Sequence, residues 1–278
     1  MKRISILGSG WLGLPLAIEL KQLGHQIKAS SRSIERLNQV EQASISAFSY
    51  DIEADQNDVS FLQADILIIN ITSKNIDSYK NLITEIEESP IRQVLFISST
   101  SVYRDSQDSN PIAITESNHD ALLPCPLLTI ENLFKDNSHV DTSIIRFSGL
   151  IGYQRHPGRF FTKIQEDGSI KCKPIKNPDA SVNLIHRDDC IGIIKAVLEK
   201  NAWGEVFNGC SSDHPSRREF YTHAIADYSG TKNLKMNFIA SKNSTDKIIS
   251  NTKVKTQLKY HFVADNLLSS TLFETTAN

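Results

Sequence analysis

The sequence predicts an α/β fold built on a doubly wound parallel sheet, and three observations carry that prediction. Short apolar runs of strand length recur at residues 4–7, 26–29, 65–71 and 93–97. Segments with helical apolar spacing lie between them. A glycine-rich hexapeptide, residues 8–13, joins the first run to the first helical segment. Strand, helix and strand in alternation are the pattern of a parallel sheet covered by helices.

The elements follow in order. Ile4-Ser5-Ile6-Leu7 is the first strand, and Gly8-Ser9-Gly10-Trp11-Leu12-Gly13 fits G-x-G-x-x-G. Leu16, Leu20 and Leu23 then repeat at helical spacing, and Gly24 marks the stop. Pro15 falls in the first helical turn, where its missing N–H matters little. Gln26-Ile27-Lys28-Ala29 returns as a second strand. Within about 30 residues this is the unit that binds a dinucleotide. Gly8 allows the tight turn, Gly10 lets a pyrophosphate approach the backbone, and Gly13 lets helix and strand pack closely. Gly8, Ser9, Gly10, Trp11, Leu12 and Gly13 thus form a Rossmann-type cradle, with the helix N-terminus facing the phosphates. A carboxylate about 20 residues on would select NAD by holding the ribose 2′-hydroxyl. The chain has Ser30-Ser31-Arg32-Ser33 there. Arg32, helped by Ser31, suits a 2′-phosphate, so NADP is expected over NAD.

The alternation continues. Residues 47–50 lead into Asp51-Ile52 at a strand end. The run at 65–71 reads as a strand buried on both faces. Residues 75–88 read as a helix, 93–97 as a strand, 126–136 as a helix and 142–147 as a strand. Beyond residue 149 the pattern mixes, with a strand at 182–186, a helix at 189–199, a strand at 205–208 and a helix at 216–229. Residues 1–149 are therefore expected to form the dinucleotide-binding domain. Residues 150–278 are expected to form mainly a smaller mixed α/β substrate lobe, part of it returning to the sheet.

Composition narrows the function. The chain has 278 residues, 40% apolar and 22% charged, with net charge −2, so it offers no basic field for nucleic acid. No apolar run reaches the roughly 20 residues of a membrane helix. The four cysteines, Cys125, Cys172, Cys190 and Cys210, form no CxxC pair, which argues against disulfides or zinc and for a cytoplasmic setting. Lys2 and Arg3 before an apolar run raise an export signal as an alternative. The glycines break that run, and Glu19 and Lys21 occupy the place of a cleavage site.

Several stretches together resemble the extended short-chain dehydrogenase/reductase superfamily of the NAD(P)-dependent epimerase/dehydratase type. They are GSGWLG, Asp51-Ile52, SSTSVY at 98–103, IIRFSGLIG at 144–152, NLIHRDDC at 183–190 and EVFNGCSSDHPSRREFY at 205–221. YQRHPGRFF at 153–161 and KIISNTKVKTQLKYHF at 247–262 are similar to an atypical bacterial subgroup. The resemblance implies that Asp51 and Ile52 border the adenine, that Asn70, Ile71 and Thr72 run beside the ribose nearest the nicotinamide, and that Ser98 belongs to the cofactor site. It implies that Ser99 is the catalytic hydroxyl that bonds a substrate oxygen. It also implies a homodimer through the helices flanking the fifth strand, with Leu122, Leu127 and Leu128 as apolar contacts.

One departure bears on chemistry. The superfamily carries Tyr-x-x-x-Lys on the helix after this strand, where the lysine charge lowers the tyrosine pKa. With Glu131 aligned to the glutamate that follows that pair, its places fall on Leu123 and Leu127. Tyr103, Cys125 and His186 are the candidate replacements. The plainer readings are a wall residue, a small buried hydrophobe and a hydrogen-bonded core histidine. Asp188 or Asp189 reads most simply as a helix cap. Arg155, His156 and Arg159 cluster in a Gly/Pro loop suited to an anionic substrate group. The expectation is an NADP-dependent oxidoreductase or epimerase/dehydratase acting on a small polar molecule. The alternative is an NADP-binding sensor that has lost turnover.

Overall fold

A computed structural model describes residues 1–106, 112–166, 169–231, 234–240 and 245–269. Its elements in chain order are β1 (Arg3–Leu7), α1 (Gly13–Gln22), β2 (Gln26–Ser31), α2 (Ile34–Gln42), β3 (Ser46–Ser49), β4 (Ile66–Ile69), α3 (Ile76–Glu87), β5 (Gln93–Ser99), α4 (Pro126–Lys135), β6 (Asp141–Phe147), β7 (Gly149–Ile151), α5 (Gly158–Phe161), β8 (Thr162–Ile164), β9 (Ile170–Cys172), β10 (Ile175–Lys176), β11 (Leu184–His186), α6 (Arg187–Lys200), β12 (Val206–Gly209), α7 (Arg217–Ser229), β13 (Phe238–Ile239) and α8 (Thr252–Gln257).

Seven strands form one sheet in the order β12-β6-β5-β4-β1-β2-β3. The doubly wound parallel sheet read from the sequence is therefore present. Its parallel registers include Ile4 opposite Ile27, Ile4 opposite Ile66 and Leu67 opposite Val94. Every residue of β4 is buried, which is why its sequence is an unbroken aliphatic run rather than an alternation. The chain order reverses at β1, between β4 and β2, and such a switch point is where open α/β sheets bind ligands.

Contacts group the described chain into two compact units. The first holds residues 1–102, 123–146 and 193–207. Its core includes Leu7, Leu67, Ile69, Tyr79, Phe96 and Phe134. The rings of Phe96 and Phe134 stack at 5.4 Å, and Tyr79 meets both edge-on. Helix α2 spaces Ile34, Leu37 and Val40 three residues apart, though of these only Val40 is buried. It forms because two parallel neighbours, β2 and β3, need a crossover that satisfies its own backbone. Helix α4 starts at Pro126, where proline supplies a preset φ and lacks only an N–H that would be unpaired anyway.

The second unit is made of the described residues within 103–122, 147–192 and 208–278. Strands β7 and β11 pair in parallel, Gly149 opposite Leu184. The strand expected from Val182 begins two residues later, because the Val182 N–H donates to Pro215 O and Ser181 bridges to Ser216. Helix α7 has a reciprocal capping box between Ser216 and Glu219 and ends on Gly230 at φ 65°, a left-handed stop that suits glycine. Asp189, expected as a helix cap, has a different role. Its buried carboxylate accepts the Tyr260 hydroxyl at 2.8 Å and the backbone N–H groups of Val263 and Ala264 at 2.8 and 3.0 Å. It ties down a segment more than 70 residues away.

Candidate functional site

In the first unit, the glycine cradle at the switch point is built by steric exclusion. Gly8 has φ +98°, and a Cβ there would lie 2.5 Å from Asn70 O and 2.7 Å from Ile71 Cγ2. At Gly13 a Cβ would lie 2.0 Å from Gly8 O. Both positions admit only glycine. Gly10 differs, since the space where its Cβ would project is open. It is exposed and keeps the backbone bare for a ligand to approach.

Around that turn, the Asn70 side-chain amide donates to Gly8 O at 3.1 Å, and Gly8 N–H donates to the Ser30 hydroxyl at 3.2 Å. The Ser9 hydroxyl and N–H both donate to Ser30 O, at 2.9 and 2.8 Å, and Ser9 is buried. Ser9 therefore shapes the turn and presents no donor of its own, which corrects its expected place among the binding residues. Leu12 is buried at the entry to α1, and no side chain caps that helix. Leu14 N–H donates to Gly10 O at 3.2 Å and Pro15 has no N–H, so the Gly13 N–H and the helix dipole are what this end offers an anion.

At the ends of the neighbouring strands, Arg32 Nη1 lies 3.7 Å from Asp51 Oδ2, and its side chain is 74% exposed. Ser31 accepts the Ser33 N–H at 3.1 Å. Asp51 also accepts the Glu53 N–H at 3.1 Å, while Ile52 is buried beside it. Ile71 is half-buried and Thr72 exposed. Ser99, at the end of β5, accepts the Ser101 N–H at 3.1 Å and is partly exposed.

Ser98 points the other way. Its hydroxyl donates to Glu131 Oε1 inside the unit. The same carboxylate receives Arg146 through Nε at 3.1 Å and Nη2 at 2.6 Å. The side chains of Arg146 and Glu131 are only 6% and 1% exposed. Ser98 is thus a structural link between β5, α4 and β6, not a cofactor ligand through its hydroxyl. Glu131 carried a signal in its motif spacing; Arg146 was missed, although a charged residue between Ile145 and Phe147 is itself a sign of a buried partner. Leu123, at the place of the superfamily's tyrosine, is 39% exposed, and Leu127 packs against the core. Cys125 sits just before α4 and is partly exposed.

In the second unit, three candidates from the sequence are bound into the fold. Tyr103 is 1% exposed and donates its phenolic proton to Asn208 Oδ1 at 2.9 Å. Asn208 has no exposure, and its Nδ2 donates to Ile114 O. Tyr103 is therefore corrected from acid/base replacement to buried strut. His156 Nδ1 accepts the Gly158 N–H at 3.0 Å, and its Nε2 lies 2.9 Å from Asp227 Oδ2. Both ring nitrogens have partners within the unit, and these hold the loop. His186 Nδ1 accepts the Asp188 N–H at 3.3 Å. Its Nε2 is turned toward Gly152, where a Cβ would come within 2.6 Å of it. Burial pushes the His186 pKa down, against the opposing charges of Asp188 and Asp189. Arg155 and Arg159 are exposed, and Arg159 Nη1 donates to Gln154 O at 3.0 Å.

Among the described residues no helix is long and apolar enough to cross a membrane, and no group of His, Cys, Asp and Glu side chains could hold a metal.

The cradle on a seven-stranded parallel sheet defines a Rossmann-type protein with the architecture of NAD-dependent epimerases and short-chain dehydrogenases. A UDP-glucuronic acid 4-epimerase from Bacillus cereus, solved in complex with NAD, superposes with a TM-score of 0.73 over 95% of this chain and 96% of its own, at 20% identity. A conserved protein of unknown function from Silicibacter pomeroyi superposes with a TM-score of 0.77 over 96% of each chain, at 15% identity. No family model matches the sequence. The chain is 30% identical over 242 residues to protein YeeZ of Escherichia coli K12, spanning 80% of this chain and 82% of that one, and it belongs to the YeeZ family.

Proposed function

We propose that the protein is an NADP-dependent oxidoreductase or epimerase/dehydratase-type enzyme acting on a small polar, anionic substrate such as a sugar or nucleotide derivative. The observation that carries this reading is the cradle. Gly8 and Gly13 have no room for a side chain, Gly10 opens to solvent, and α1 presents an uncapped N-terminus. Those features fit a dinucleotide pyrophosphate.

The NADP preference rests on Arg32. Its partner Asp51 is 3.7 Å away and Arg32 itself is largely exposed, so the ion pair is weak. A 2′-phosphate offers the guanidinium a stronger, bidentate partner. When bound, the nicotinamide would supply the hydride chemistry. Ser99 would hold a substrate oxygen by hydrogen bond at the end of β5. On the second unit, taken by itself, exposed Arg155 and Arg159 are the proposed contacts for an anionic group.

A second reading, an NADP-binding sensor without turnover, is supported by one observation. The tyrosine and lysine places hold leucines, and the nearest tyrosine in sequence, Tyr103, has its proton engaged by Asn208. Calorimetric titration with NADPH, NADP, NADH and NAD tests both readings when run beside an Arg32→Ala variant. NADP(H) binding that weakens at least tenfold in the variant is expected. Equal binding of NAD(H) would remove the Arg32 argument, and binding of none of the four would remove the function. A subsequent screen of sugar and nucleotide substrates with bound NADPH separates enzyme from sensor.

A further inference from the structure

The opening basic residues Lys2 and Arg3 play no part in the cradle, and Arg3 leads to a second site on the first unit. At the amino ends of β1, β2 and β3 lies an open cavity of about 330 Å³. The cradle sits at the carboxyl ends of the same strands. The cavity wall includes Arg3, Lys21, His25 and Lys28, with the hydroxyl residues Ser44 and Ser46, and no acidic side chain lines it. Its size is at the lower end of small-molecule pockets.

The four basic groups are held in place, yet each keeps donors unspent. Lys21 Nζ donates to Ala43 O and Ser44 O at 2.9 and 2.7 Å. Lys28 Nζ donates to Ser60 O and, at 3.1 Å, to Gln63 O. An ammonium has three donors, so one remains on each lysine. Carbonyl partners fix the lysines without neutralising them. Arg3 uses Nε and Nη2 on Asp65, which leaves Nη1. His25 Nδ1 accepts the Lys2 N–H at 3.3 Å, which puts the ring proton on Nε2 as a further donor.

Burial weighs on two of these groups. Burial and the Arg3 charge push the Lys28 pKa down, with Asp58 opposing. Burial, the chain's amino terminus and Lys2 push that of His25 down. The carboxylates nearby are Asp65, which is taken by Arg3, and Asp58, which accepts the Ser60 N–H.

We infer that the cavity bounded by Arg3, Lys21, His25 and Lys28 binds a small phosphate monoester, at a site separate from the glycine cradle. A phosphate suits a cavity lined by basic side chains from several elements, and the remaining volume takes a body of pentose size. Nothing in this inference depends on the cofactor or the reaction proposed above.

The test uses the full chain with ribose 5-phosphate and inorganic phosphate as probes. Calorimetry on wild type, on Lys21→Gln/Lys28→Gln and on Gly10→Val separates the two phosphate-accepting places. The expected result is saturable ribose 5-phosphate binding, weakened at least tenfold in the lysine double variant and changed less than twofold in Gly10→Val. Inorganic phosphate should bind more weakly than the monoester. A second measurement needs no variant: the His25 ring resonances of wild type should shift on titration and report a raised pKa. Absence of saturable binding, unmoved His25 resonances, or binding lost only in Gly10→Val would each overturn the inference.

Discussion

The Tyr103 hydroxyl donates to Asn208 Oδ1 at 2.9 Å, and both residues are buried. A phenol in that position is a strut. Tyr103→Phe should leave Asn208 Oδ1 without that donor in a dry site, lowering stability by about 1–3 kcal/mol. Urea unfolding would show this as a shifted midpoint with unchanged slope. Cofactor affinity should stay within twofold. A large loss of affinity or turnover with unchanged stability would return Tyr103 to the active site.

Glu131 and Arg146 form a buried pair in the first unit, joined by Ser98. Removing one partner strands the other charge, so Glu131→Met or Arg146→Met should each destabilise by about 3–5 kcal/mol. The double replacement should recover most of that loss, because apolar pairs of similar volume are tolerated where buried ion pairs stood. A double-mutant cycle in denaturant measures the coupling. Equal, additive effects would show that the pair is not coupled.

The cradle glycines should separate folding from binding. At Gly13 a Cβ meets Gly8 O at 2.0 Å, whereas at Gly10 it meets open space. Gly13→Ala is expected to lower the melting temperature by several degrees. Gly10→Val should leave melting nearly unchanged yet weaken dinucleotide binding at least tenfold. Thermal melts paired with calorimetry check both. Unaltered binding by Gly10→Val would show that the turn serves packing alone.

His186 should make the fold acid-sensitive. Its pKa is pushed below the ordinary value of about 6.5 by burial. The folded state therefore binds the proton less readily than the unfolded chain. That contribution to stability is full above about pH 6.5 and falls as pH drops below it, until the lowered folded pKa is reached. His186→Asn keeps an acceptor for the Asp188 N–H but does not titrate. Its stability should vary less between about pH 6.5 and 5 than that of wild type. Parallel slopes in denaturation series across that range would refute the assignment.

Local signals made most of the sheet legible in the sequence. The apolar run of β4, the glycine turn and Pro126 at the start of α4 each act through their own residues and immediate neighbours. Helix α2 was hardly legible, although Ile34, Leu37 and Val40 recur every third residue, because a stripe that narrow, with Val40 alone buried, is a weak signal. The site residues fared less evenly, because their roles depend on distant partners. His156 looks like part of a basic loop until Asp227, 71 residues on, takes its Nε2. Ser98 and Ser99 are adjacent and chemically alike, yet strand alternation sends the first inward to Glu131 and leaves the second partly exposed. No spacing in the sequence reveals which carbonyl or carboxylate will be waiting across the fold.

The seven-stranded order has a consequence for synthesis on the ribosome. Strand β6 ends at Phe147, but its outer neighbour β12 is not complete until Gly209. Bonds such as Ile144 N–H to Glu205 O cannot form before then. At about 5–20 residues per second the delay lasts several seconds. During that interval the nascent chain carries a strand with one edge bare, the kind of surface that recruits chaperones or other chains. Slowing translation between β6 and β12 should therefore lower the yield of folded protein more than the same pause placed after Gly209.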